Sequence, residues 1–173
     1  MAMKQLDESD EEQPPLKARL LSRAFRTGPL FQTAMWTQMP LLAMAKPKVT
    51  ELNAQRCALD LPFGWRTRNI FGTMYFGASL MAAEATTGAL VFFHHASRPE
   101  KFSFVVTGVS AEFVDKAKSR VTFECNDGPR VAEAFDEALS TGERVDRTFN
   151  VVGRREDGTE TAKVGVNWYI RSR

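Results

Sequence analysis

NIFGTMYFGASLMAAE, residues 69–84, runs from a turn into a helix and decides how the rest of the chain must fold. Asn69 and Gly72 are turn formers. From Gly77 through Phe93 the side chains are Ala, Gly, Leu, Met, Val and Phe, with Ser79, Thr86 and Thr87 as mild exceptions and Glu84 as the one strongly polar group. A helix apolar on every side has no face to offer water, so it is expected to be enclosed. Its length invites a membrane reading, since about 20 apolar residues span a bilayer. Glu84 near its middle, Gly77 and Gly88 within it, and the lack of Lys/Arg asymmetry at its ends argue against that reading. Burying an unpaired carboxylate costs on the order of several kcal/mol. Glu84 must therefore be paired, neutral, or held where a raised pKa is used.

Working outward, the 173 residues with 43% hydrophobic content suffice for one domain with a real core. The net charge of +2 is spread over mixed-sign segments with no Lys/Arg stripe, which excludes a nucleic-acid reading. Cys57 and Cys125 are far apart in sequence, with no CxxC and no secretory leader, so a reducing cytoplasm and two small core residues are expected. Residues 1–15 are acidic and end in Pro14-Pro15, which reads as a disordered tail. Over residues 16–46, Leu20, Leu21, Phe25, Leu30, Phe31, Met35, Trp36, Leu41 and Leu42 are cut by Gly28-Pro29 and Pro40. That pattern predicts two short amphipathic helices laid on a core spanning residues 47–173.

Val49–Leu61 reads as one strand, ended by Pro62 and Gly64. Phe102–Val114 and Val121–Cys125 read as two antiparallel strands joined near Lys116–Ser119. Gly128-Pro129 opens a short helix that Gly142 closes. Val145, Phe149 and Val151 alternate with polar residues, Asp157-Gly158 makes a turn, and Ala162, Val164, Val166, Trp168 and Ile170 alternate again, which is a hairpin. An enclosed helix among antiparallel strands is covered most economically by curling the sheet round it.

This pattern resembles the hotdog fold, an α+β architecture in which a curved antiparallel sheet of about five strands wraps a long central helix. Thioesterase branches of that superfamily carry NxxGxxHGG followed by an acid on the helix. Here Asn69 and Gly72 stand at the Asn and Gly, Tyr75 at the His, Phe76 and Gly77 at the two glycines, and Glu84 at the acid. With its two N-terminal helices and Tyr75 in place of His, the chain resembles most the branch called domain of unknown function 4442. The resemblance implies hydrolysis of acyl-CoA thioesters at a site shared between two subunits of a homodimer or tetramer, with no metal or other cofactor. Glu84 would be base or nucleophile, with its pKa raised by burial. Asn69 would orient the acid or the water, and the N–H groups of Phe76 and Gly77 at the helix start would meet the developing oxyanion. Tyr75 and Phe76 would wall the acyl pocket.

Plainer readings stand beside these. Asn69 could serve only the turn, Gly77 only close packing, and Tyr75 the core. His94 and His95 read as imidazolium caps on the helix C-terminus, and the methionines as core filler. A hotdog hydratase would need a His in the approach loop, and residues 62–76 contain none. The other alternative is a non-catalytic protein that binds an acyl or small hydrophobic ligand, a reading that Tyr75 and Phe76 favour.

Overall fold

The computed structural model describes residues 15–26 and 29–173. The acidic stretch expected to be a tail lies outside them, apart from Pro15. Helices α1 (Leu16–Arg26), α2 (Pro29–Gln38) and α3 (Pro40–Ala45) come first, so the expected pair is a trio. Pro40 sets the extra break. Met39 before it takes φ −139° and ψ 62°, because a residue ahead of proline is pushed out of the helical region. α3 ends where Lys46 turns left-handed at φ 54°.

The segment expected as one strand is a hairpin of β1 (Lys48–Leu52) and β2 (Cys57–Leu61). Asn53 makes the turn, its Oδ1 accepting the N–H groups of Gln55 and Arg56, both at 2.9 Å. Two further bonds pin this turn: the Gly128 N–H donates to Gln55 O, and His94 Nε2 to Ala54 O, each at 3.0 Å. His94 is thus no imidazolium cap. Loss of solvent lowers its pKa to about 4, so at neutral pH it is an uncharged tie between helix and sheet.

Next come α4 (Phe76–Ala96), β3 (Phe102–Phe113), β4 (Val121–Cys125), α5 (Gly128–Thr141), β5 (Val145–Arg155) and β6 (Glu160–Ser172). The six strands form one antiparallel sheet in the order β1-β2-β4-β5-β6-β3. The hairpin at Asp157-Gly158 forms as expected, with Asp157 Oδ1 accepting the Thr159 N–H at 2.9 Å. β3 and β4, however, are not partners. The β5–β6 hairpin lies between them, and the chain from Val114 to Arg120 crosses its tip. There Arg155 pairs with Asp115 (3.2 Å) and donates to Lys116 O (3.1 Å). This leaves β3 on an edge, with one partner, β6.

α4 packs on β1, β2, β4, β5, β6 and α5. Ala82, Ala83, Leu90, Val91 and Phe93 share one core with Leu61, Phe123, Phe149 and Ile170. Each fully buried Leu, Val, Ile or Phe among them contributes about 1.5–3 kcal/mol relative to exposure. α4 is long and apolar enough to cross a membrane by length and composition, yet most of it is inside the protein. Its enclosure is incomplete, because Leu80, Met81, Glu84 and Phe92 form a stripe that is partly open. Over that stripe α2 and α3 lay Met35, Leu42 and Ala43, which pack on Met81 and Ala85. Cys57 and Cys125 face each other on β2 and β4, buried and unbridged. Burial pushes the Cys125 thiol up to about 12, and that of Cys57 up as well, which makes both inert.

Candidate functional site

The approach to α4 is a closed turn built on Asn69. Its carbonyl accepts the Gly72 N–H at 3.2 Å, with Gly72 at φ +72°, a conformation that favours glycine. Asn69 Oδ1 accepts the N–H groups of Phe71 (3.0 Å) and Thr73 (3.2 Å), while Nδ2 reaches Thr73 Oγ1 (2.9 Å) and Met74 O (3.4 Å). The Asn69 amide is therefore engaged throughout by its own turn. Tyr75 N–H to Thr67 O (2.7 Å) and Met74 N–H to Ala117 O (2.8 Å) fasten the turn to the body of the protein.

The helix start is fixed by that turn. Tyr75 is the N-cap residue, extended at φ −68° and ψ 130°, and no side chain caps the helix. The Ala78 and Ser79 N–H groups return to Tyr75 O, at 3.0 and 3.2 Å. Those of Phe76 and Gly77 have no partner among the described residues, so two oriented donors remain at the positive end of the helix dipole. The Tyr75 ring folds back over Gly77 so closely that a Cβ there would lie 2.5 Å from Tyr75 Cε1. A larger residue at 77 would therefore have to displace the half-exposed Tyr75 ring. Phe76 is about half exposed and meets the Tyr75 and Phe113 rings edge-on, with centroids 4.8 and 6.4 Å apart.

Glu84 sits eight residues further along, about 12 Å up the helix axis at 1.5 Å per residue. Its carboxylate has no hydrogen bond or ion pair among the described residues, and burial alone raises its pKa above the ordinary carboxylate range. It lines a cavity of about 330 Å³ with Met35, Leu42, Leu59, Phe92 and Trp168, under the roof of α2 and α3. Gly88 borders it, and a Cβ there would stand in ordinary contact, 3.6 Å from both Glu84 Oε1 and Trp168 Cζ2. The Trp168 indole is held from behind, Nε1 donating to Thr87 Oγ1 (3.0 Å), which donates to Glu84 O (2.9 Å).

Within one chain the structure thus brings Asn69, Tyr75, Phe76 and Gly77 together at one end of α4 and leaves Glu84 at its middle. Asn69 and Phe76 open on a different cavity, of about 630 Å³, shared with Ser79, Phe113 and Lys116. Trp168, Gly88, Met35 of α2 and Met39 between α2 and α3 were not singled out by the sequence as site residues. Their signal, apolar character, is the same as that of core residues. Among the described residues no cluster of His, Cys, Asp or Glu could hold a metal ion.

A six-stranded antiparallel sheet packed on one long helix, with a turn-borne helix start and a helix-borne acid, defines a protein of the hotdog fold. Residues 27–170 match the family model described as a domain of unknown function, DUF4442, and the chain belongs to that family. Solved structures agree on the fold. A protein of unknown function from Pseudomonas aeruginosa is 21% identical over 86% of this chain and 99% of its own, with a TM-score of 0.69. A thioesterase from Haemophilus influenzae is 13% identical over 86% of this chain and 94% of its own, with a TM-score of 0.61. A mutant thioesterase from Pseudomonas aeruginosa is 15% identical over 87% of this chain and 99% of its own, with a TM-score of 0.62. No curated protein matches the chain.

Proposed function

We propose that the protein is a thioesterase acting on acyl-CoA, with Glu84 as general base or nucleophile. The observation that carries this reading is the Glu84 carboxylate, unpartnered among the described residues and set in the wall of an apolar cavity of about 330 Å³. An acid kept without a partner costs stability, so a use for it is expected. The apolar cavity suits the hydrocarbon of an acyl group, and the thioesterases among the structural relatives add support. As a base, Glu84 takes a proton from water while the water oxygen bonds to the thioester carbon. The C–S bond then breaks, and the proton passes to the leaving sulfur. The N–H groups of Phe76 and Gly77 receive the carbonyl oxygen as it gains charge. Asn69 acts at one remove by holding the turn that aims them.

The separation along α4 supports a site completed by a second copy. With about 12 Å between Glu84 and the donors of its own chain, a single carbonyl group cannot touch both, so the donors come from the partner's helix. Edge strand β3 supports such a homodimer, because Val105, Val109 and Phe113 are exposed along it and a free apolar edge invites pairing. The partly open stripe of α4 would be covered in the same assembly, alone or as half of a tetramer. The unbridged, buried Cys57 and Cys125 fit a cytoplasmic setting.

The non-catalytic alternative rests on Tyr75 and Phe76, whose rings crowd the helix start that the substrate would approach. A panel of acyl-CoA substrates with thiol detection, run beside a thermal-shift screen of the same compounds, separates the two. Thiol release that saturates with substrate supports the enzyme, whereas ligand stabilisation with no release supports the binding protein.

A further inference from the structure

Three hydroxyl side chains lie in the buried part of α4, and two of them bond back to helix carbonyls. Thr86 Oγ1 donates to Ala82 O (2.8 Å) and Thr87 Oγ1 to Glu84 O (2.9 Å). Ser79 does not. It is 5% exposed, and its hydroxyl has no hydrogen-bond partner among the described residues. Ser79 lines the cavity between the first turn of α4 and the β3–β4 crossover. A helical side chain leans toward the N-terminus and over the preceding turn. For Ser79 that direction leads toward Phe76, three residues earlier, which lines the same cavity and whose N–H, like that of Gly77, is unpaired among the described residues.

The charges around the cavity point the same way. Of the two charged residues lining it, Asp115 is neutralised by Arg155 at 3.2 Å, whereas Lys116 at the exposed rim has no carboxylate partner among the described residues. The opening therefore presents a cation, the start of α4 at Phe76 and the Ser79 hydroxyl.

We propose that Ser79 Oγ–H joins the N–H groups of Phe76 and Gly77 in one three-donor cradle for a carboxyl-derived oxygen. In turnover this oxygen is that of the thioester as it gains charge, and afterwards it belongs to the carboxylate of the released acid. The cradle rests on the thioesterase reading only for the first of these. Binding of the free acid needs no turnover, so the two ideas fail separately.

The test is calorimetric titration of the full chain with hexanoate and with hexanol, on the wild type and on Ser79→Ala, beside hexanoyl-CoA hydrolysis by the same samples. Hexanol keeps the hydrocarbon and lacks the carboxylate, so it reports the acyl cavity alone. Ser79→Ala should weaken hexanoate by about tenfold or more, the scale of one hydrogen bond to a charged group, and leave hexanol unchanged. In hydrolysis kcat should fall more than KM changes, because the bond strengthens as charge develops. Equal hexanoate affinity in the two proteins, or no hexanoate binding by the wild type at millimolar concentration, overturns the cradle. Selective loss of hexanoate with no hydrolysis by either protein keeps the cradle and removes the thioesterase reading.

Discussion

Gly88→Ala is expected to make the protein more stable and its substrate range narrower at the same time. The added methyl would stand 3.6 Å from Glu84 Oε1 and 3.6 and 3.7 Å from Trp168 Cζ2 and Cη2, which is ordinary contact with no clash. Replacing glycine inside a helix by alanine contributes about 1 kcal/mol, and burying the methyl adds up to about 0.8 kcal/mol. A gain of about 1–2 kcal/mol raises the melting temperature of a chain this size by roughly 2–8 °C. The methyl also takes about 30 Å³, the volume of one water molecule, from a cavity of about 330 Å³. The longest straight acyl group accepted should then be shorter by one carbon. Excluding one methylene costs about 0.8 kcal/mol, or about fourfold in kcat/KM at the upper end of the series. Scanning calorimetry and hydrolysis rates over a ladder of straight-chain acyl-CoA substrates measure both effects. A lower melting temperature, or an unchanged chain-length limit, would refute the assignment of this cavity to the acyl chain.

Other substitutions test other parts. Phe76→Gly should open the helix start and admit bulkier acyl groups, at a cost of about 0.5–1 kcal/mol in backbone entropy; a profile matching the parent's would remove Phe76 from the pocket wall. Val109→Lys places a charge on the exposed edge of β3 and should convert the proposed dimer to monomer in light scattering, with loss of hydrolysis if the donors come from the partner as proposed. A wild type that scatters as a monomer in the micromolar range would contradict both the interface and the shared site. Burial holds the folded-state pKa of Glu84 above its unfolded value. Its contribution is therefore most favourable below the unfolded pKa, declines as pH rises to the folded pKa, and is level above it. Subtracting the melting curve of Glu84→Gln from that of the wild type across the weakly acidic range should show this one downward step, and a flat difference would mean that Glu84 is well solvated.

Much of this fold was legible because α4 has so few polar residues. An apolar helix with one acid forces a wrapping sheet, and the alternation over Val145–Ile170 gives the β5–β6 hairpin directly. What alternation cannot show is which strands are neighbours. Phe102–Val114 and Val121–Cys125 have hairpin spacing, yet a longer hairpin inserts between them and Arg155 straps the crossover. The β1–β2 turn was missed because it rests on the single side chain of Asn53 inside an otherwise strand-like run. At the candidate site, spacing located the acid and the helix start. It could not show that Asn69 is fully engaged by its own turn, nor that Ser79 is the one helix hydroxyl left without a partner among the described residues, since both depend on which atoms are within reach.

Hydrolysis by Glu84→Gln, compared with the wild type per folded molecule on the same sample used for thermal unfolding, tests the central claim most directly. The substitution keeps the shape and hydrogen-bonding reach of the side chain and removes the carboxylate. The account predicts a fall in kcat of about 10²- to 10⁴-fold, the range of general base catalysis, with acyl-CoA binding retained and the melting temperature held or raised as a desolvated charge is relieved. Unchanged turnover together with a lower melting temperature would contradict it, and would make Glu84 a structural residue.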